Sequence, residues 1–417
     1  MRSRPWSTKY SPGSGWPACS SDSPGARSRH CSVCRMGAKS AVSTGRKRLA
    51  VRSTEAWSWS VAFDNICCRG AGPCAGGFCH SQSLWQVACM AVLFPLRALQ
   101  RRAAFLVSCL FPLWAGALTL PVTAELDPAL PSVRLRGYAF HAQAFGEVGR
   151  PVVVVLHGGP GADHRYLLGL AALADQFRVV FYDQRGTGLS PRVPAADITP
   201  QGFVDDLDAI VDAYGAGQPV HLVGHSWGAM LASAYAGAHP GKVGRLVLAE
   251  PGFLDGSTLP YLNAGGWPGW PVAWGMARAW LAQWSVDTRG DPQARRDYLL
   301  GRMLPLVQAR ATCDGRPPVL EGWRAGWANF DATVGRMGRD PAFAASLDFR
   351  RGVARFEGAT LFLAGRCSPV MGEAQQRRHL GHFRQARLDV LEGAGHFLFN
   401  DQPERSVALV RVFLAGP

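Results

Sequence analysis

From residue 133 to the C-terminus, short apolar runs alternate with longer helix-like stretches. This pattern predicts an α/β protein with a largely parallel sheet. "RPVVVVLHGGPG", residues 150–161, is apolar without alternation, as a strand covered on both faces should be, and it breaks into glycines after His157. "FRVVFYDQRGTGLS", 177–190, repeats the arrangement. "QPVHLVGHSWGAMLASAYAGAHP", 218–240, reads as a strand, a tight turn and a small-residue helix that stops at Pro240. "GRLVLAEPG", "ATLFLAGRC" and "ARLDVLEGAGH" add three strands, each ending in a loop.

Between Pro251 and Arg355 the strand pattern stops. The stretch is helical in tendency, broken by Gly and Pro, and carries Trp267, Trp270, Trp274, Trp280, Trp284, Trp323 and Trp327. An insertion of this size predicts a helical cap over the strand ends, where open α/β sheets bind ligands, with most of these Trp residues packed inside it. The predicted layout is therefore a core over 125–250 and 356–417 and a cap over 251–355.

Composition divides the chain further. Residues 1–124 hold 15 Lys and Arg against 3 Asp and Glu, a net of +12, whereas residues 125–417 hold 29 against 27, a net of +2. The overall charge of +14 thus belongs to the N-terminal part, and the core lacks the basic patch that nucleic-acid binding needs. Nine of the 11 cysteines lie at or before Cys109, so no disulfide framework is implied for the main body. Cys31, Cys34, Cys67, Cys68, Cys74 and Cys79, with His30 and His80, lack the paired spacing of zinc knuckles, and no metal is expected.

Residues 1–89 show no sustained period and would not bury a core, so they read as spurious translated sequence or a disordered basic extension. Residues 90–124 follow the order of a secretory signal: Arg97, Arg101 and Arg102, then the apolar run 103–120, with Ala117 and Ala124 as small residues before a cleavage point. Left uncleaved, the 18-residue run is long enough for a membrane anchor. With Met90 as the start, the protein is expected to be exported or membrane-anchored, and otherwise cytoplasmic.

The chemistry centres on "GHSWG", 224–228, which follows an apolar strand and precedes a helix, the context of a nucleophile elbow. Ser226 is the candidate nucleophile, and the helix start aims the Trp227 N–H at a developing oxyanion. Glycines in "HGGPG", 157–161, let the backbone approach the substrate, so Gly159, with Gly158 beside it, is the second oxyanion donor. His396 in "GAGHF", after the last strand, is the candidate base; His157, His221 and His225 are not.

"HGGPG", "DQRGTGLS" and "GHSWG" together, with "GAGHF", resemble the proline iminopeptidase group of α/β-hydrolases over about residues 133–417. The resemblance implies an α/β-hydrolase fold with a helical cap inserted after the strand ending at Glu250. It also implies a Ser-His-acid hydrolase that acts by an acyl-enzyme on a small molecule or short peptide and needs no cofactor. Asp183 and Arg185 match family positions and read as loop-bracing ion pairs.

Two departures stand out. The family's acid follows the strand that here ends "GRCS", where Ser368 stands in its place. Glu250, at the tip of the strand after the nucleophile helix, is the replacement expected to orient His396, with Asp255 in reserve. The family recognises a free amino terminus with cap acids, and "WANFD" places only Asp331 near such a position. An ester hydrolase, or a binding protein that kept the fold after losing its acid, are the alternatives to a peptidase.

Overall fold

The computed structural model describes residues 117–256 and 269–416. The expectations for residues 1–89, for Met90 and for most of the run 103–120 lie outside these residues. Eight strands form one sheet: β1 Ser132–Leu135, β2 Tyr138–Phe145, β3 Val152–Leu156, β4 Arg178–Tyr182, β5 Val220–His225, β6 Val243–Ala249, β7 Thr360–Gly365 and β8 Ala386–Leu391. Their order is β1-β2-β4-β3-β5-β6-β7-β8. β1 and β2 pair antiparallel, β2 pairs antiparallel with β4, and every pairing beyond β4 is parallel.

The unbroken apolar runs are explained by burial on both faces. Val154, Leu156, Leu222, Leu246, Leu248 and Phe362 point to one side, under helices α1 Pro200–Gly215 and α2 Trp227–Ala238. Alternate residues Val153, Val155, Val223, Val247, Leu361 and Leu363 point to the other, against Leu167, Leu170 and Leu173 and the C-terminal Val410 and Phe413. The Thr199 side chain caps α1 by accepting from the Gly202 N–H, and Pro200 fits the first turn, where an amide would be left over. Lys242, just ahead of β6, pairs with Asp208 and Asp212 at the end of the sheet away from the strand tips.

Between β6 and β7 the chain forms α3 Trp270–Ala282 and α4 Ala294–Gln308, followed by shorter helical turns. The core is completed by α5 Glu373–Leu380 and α6 Pro403–Ala415. Four tryptophans of this insertion depart from the expected interior packing: Trp270, Trp274 and Trp280 of α3, and Trp284 just beyond it, are all more than half exposed. Ala279 is the only buried residue of α3, so the rings lie along its outer side. They pack on each other instead, Trp270 against Trp274 and Trp280 against Trp284, with the Arg295 guanidinium 4.6 Å from the Trp284 ring. Trp323 does pack inward, against His141 and His164, and Trp267 lies outside the described residues.

Asp297 of α4 joins the insertion between β6 and β7 to the loop after β4. Its buried carboxylate takes the guanidinium groups of Arg192, from the loop after β4, and Arg324, and it accepts the Trp327 N–H. The entering segment is held as well: Leu118 bridges Val286, Pro121 O accepts from Arg324, and the Ala124 N–H donates to Leu189 O. A chain cut after Ala124 would lose these contacts, whereas one cut after Ala117 keeps them. Among the described residues no helix is long and apolar enough to cross a membrane.

Candidate active site

Ser226 occupies the turn between β5 and α2 with φ 55° and ψ −118°. A side chain pays roughly 1–3 kcal/mol for such a conformation, and the surroundings explain why it persists. A Cβ on Gly224 would lie 2.5 Å from Gly228 O, and one on Gly228 would lie 2.1 Å from Leu156 O. The two glycines thus let α2 fold back over β5 and press against the tip of β3. The Ser226 N–H donates to Ala249 O, which ties the elbow to the tip of β6.

Glu250 is the next residue, and its φ of 43° is also left-handed. This turn sends the side chain across the end of β7. Oε1 accepts the Gly365 N–H at 2.7 Å, while Oε2 lies 2.9 Å from Ser368 Oγ and 2.7 Å from His396 Nδ1. Glu250 and His396 are thus brought together, and Ser368 donates to the same carboxylate oxygen. Burial pushes the Glu250 carboxyl up to about 8, against the opposing pull of the Gly365 amide and the Ser368 hydroxyl. Burial pulls the His396 imidazole down to about 4, partly countered by the Asp401 carboxylate.

The "HGGPG" loop lies against the elbow. A Cβ on Gly158 would be 3.0 Å from Ser226 Cβ. The Gly158 N–H donates to Tyr166 Oη at 2.8 Å, whereas among the described residues the N–H groups of Gly159 and Trp227 have no protein acceptor. His157 is a brace: its Nε2 accepts the Gln184 N–H, and its Nδ1 lies 2.9 Å from Gly158 O. His225 directs its ring toward the His396 backbone, with Nε2 2.8 Å from His396 O and Nδ1 2.7 Å from Tyr166 Oη. Nothing in the sequence singled out Tyr166.

The remaining candidates are placed elsewhere. Asp255 pairs with Arg350 at 2.7 Å, and Asp331 pairs with Arg339 at 2.7 Å on an exposed face. Arg185 pairs with the buried Asp206, not with Asp183. Asp183 instead receives His141 Nδ1 and His164 Nδ1, each at 2.7 Å. Burial works against its charge, yet the two imidazoles hold the carboxyl well below its usual value. Among the described residues this is the one cluster with metal-ligand spacing, and its facing atoms are already hydrogen-bonded to each other. The main body also holds a disulfide that the cysteine spacing did not imply. Cys313, in the insertion between β6 and β7, joins Cys367, beside Ser368, across 54 residues, and Ala311 O accepts the His396 N–H at 2.7 Å.

The carboxylates of residues 251–355 share one further property. Asp255, Asp287, Asp291, Asp297, Asp314, Glu321, Asp331, Asp340 and Asp348 are all the acids of residues 251–355. Each lies within 4.0 Å of an arginine nitrogen.

A family model described as "alpha/beta hydrolase fold" matches residues 151–403. Over 280 residues the chain is 26% identical to a cis-3-alkyl-4-alkyloxetan-2-one decarboxylase of Xanthomonas campestris pv. campestris, covering 63% of this chain and 88% of that protein. Over 180 residues it is 34% identical to a proline iminopeptidase of Neisseria gonorrhoeae, covering 42% of this chain and 55% of that protein. A proline iminopeptidase of Heyndrickxia coagulans is 42% identical over 100 residues, covering 24% of this chain and 34% of that protein. The chain thus spans about half, or less, of these two iminopeptidases. Among solved structures, the proline iminopeptidase of Mycobacterium smegmatis superposes with a TM-score of 0.45 at 23% identity, over 68% of this chain and 96% of that one.

Proposed function

The chain belongs to the α/β-hydrolase fold family, and from that we propose a serine hydrolase that works through an acyl-enzyme on uncharged carboxylic esters. The observation that carries the reading is the 2.7 Å bond between His396 Nδ1 and Glu250, whose neighbour Ala249 holds the Ser226 amide. Ser226 Oγ attacks the acyl carbon while His396 Nε2 takes its proton, and Glu250 holds Nδ1–H and steadies the imidazolium. The oxyanion is held by the N–H groups of Gly159 and Trp227. His396 then returns the proton to the departing alcohol, and a water repeats the sequence to release the acid. No step requires a metal or cofactor.

The preference for an ester over a peptide N-terminus rests on the cap. A substrate ammonium needs a carboxylate to meet it, and every Asp and Glu of residues 251–355 already faces an arginine. A short-chain p-nitrophenyl ester is expected to be cleaved at least about 100-fold faster, in kcat/KM, than a proline arylamide. The reverse order, with arylamide cleavage lost in Asp331→Asn, would restore the peptidase reading. A fluorophosphonate is expected to modify Ser226, and absence of that adduct in active protein would refute the nucleophile. Export is part of the proposal, because the Cys313–Cys367 bridge suits an oxidising compartment.

The pH profile follows from the pair of shifted groups. The base is competent only with Glu250 ionised and His396 neutral, so kcat/KM should climb as pH rises toward about 8, where Glu250 gives up its proton. Ser368→Ala removes a contact that favours the ionised carboxylate, so this limb should move to higher pH while the plateau rate drops less than about tenfold. A limb that stays in place would show that Ser368 does not act through Glu250.

A further inference from the structure

We infer that His225 and Tyr166 are positioning residues that lock the backbone of the oxyanion loop to the backbone of the base through one directed chain of hydrogen bonds. The inference rests on the serine-hydrolase reading and adds two residues to it.

The direction of the chain is fixed by chemistry. His396 O is a carbonyl and can only accept, so His225 Nε2, 2.8 Å away, carries a hydrogen. The ring is buried against the His396 ring, with centroids 4.7 Å apart, and burial together with that neighbour pulls it down to about 3. It is therefore neutral, and Nδ1 is an acceptor. Tyr166 must then donate its hydroxyl hydrogen to Nδ1, which leaves Oη free to accept the Gly158 N–H. Each donor has one acceptor, and none of the three links can be reversed.

Two consequences follow. The Gly158 amide is spent on the strut, which leaves Gly159 as the loop's oxyanion donor. The strut also joins two loops far apart in the sequence, residues 158 and 396, the first through Tyr166 and the second directly, at the residue beside Ser226. A loop shift of about 1 Å at a reacting centre can cost about 100-fold in rate. Holding the donor and the base to one frame suppresses that loss.

The test compares two replacements of His225. His225→Gln places an amide N–H near the position of Nε2 and an acceptor for Tyr166, whereas His225→Phe keeps the ring and removes both polar atoms. On a p-nitrophenyl ester the Gln enzyme should retain kcat within about tenfold, and the Phe enzyme should lose about 100-fold in kcat with KM little changed. A role in packing alone predicts the opposite order, with Phe the better substitute, and that order would overturn the inference. Tyr166→Phe deletes only the hydroxyl and guards against misfolding of the His225 variants. It should lower kcat about tenfold at unchanged KM, and an unchanged kcat would equally overturn the strut. The rate of fluorophosphonate modification separates the two levels of the reading. If wild type does not react at Ser226, the serine mechanism itself fails; if wild type and His225→Phe react equally fast, only the strut fails.

Discussion

Glu250→Gln is expected to reduce kcat by about 10⁴-fold, equivalent to about 5.5 kcal/mol of transition-state stabilisation. The amide can still accept the Gly365 N–H, but the group facing His396 Nδ1 becomes a donor if it is to satisfy Ser368 and the imidazole together. The ring then keeps its hydrogen on Nε2 and cannot take the Ser226 proton. Stability should move the other way at alkaline pH. The folded-state value of Glu250 lies above its ordinary one, so the folded protein loses stability as pH rises between about 4.5 and 8, and the amide is free of that cost. His396, shifted down from 6.5 to about 4, acts oppositely: the fold loses stability as pH falls through that interval. Thermal midpoints at pH 5 and pH 9 should therefore favour the variant more at pH 9. Full activity in Glu250→Gln beside an inactive Ser368→Ala would assign the orienting role to Ser368 instead.

Asp297→Ala is expected to be the most damaging single change in residues 251–355. It leaves Arg192 and Arg324 without their shared buried carboxylate, a loss of about 3–5 kcal/mol for a broken buried pair. The melting midpoint should fall on the order of 10 °C. The Asp331–Arg339 pair lies in solvent, where screening leaves little net attraction, so Asp331→Asn should melt with wild type. Equal midpoints for Asp297→Ala and wild type would mean that the cap is held by its apolar contacts instead.

The parts of this protein that were legible in its sequence are those that repeat a local rule. Apolar runs without alternation gave β3 to β7, because a strand covered on both faces has no polar side to display. Glu250 was legible through an absence: with serine where an acid was due, a carboxylate at the neighbouring strand tip became the candidate. Features that depend on how distant segments meet were not legible. Cys313 and Cys367 carry no spacing signal, Asp183 takes His141 from β2 and His164 from the loop after β3, and Ser368 donates to the Glu250 carboxylate from another strand tip. The tryptophans of α3 depart from the usual burial of large apolar side chains because the helix turns only Ala279 inward.

The arginine pairing of the cap belongs to a wider habit. Residues 125–417 contain 28 arginines and a single lysine, Lys242. That lysine sits just before β6, at the opposite end of the strand from Glu250. Amine-directed coupling of this region to a bead or electrode through side chains would thus attach it at one point, with the Glu250 end of β6 turned away from the support. The orientation that enzyme immobilisation usually has to engineer is already written into the choice of cation.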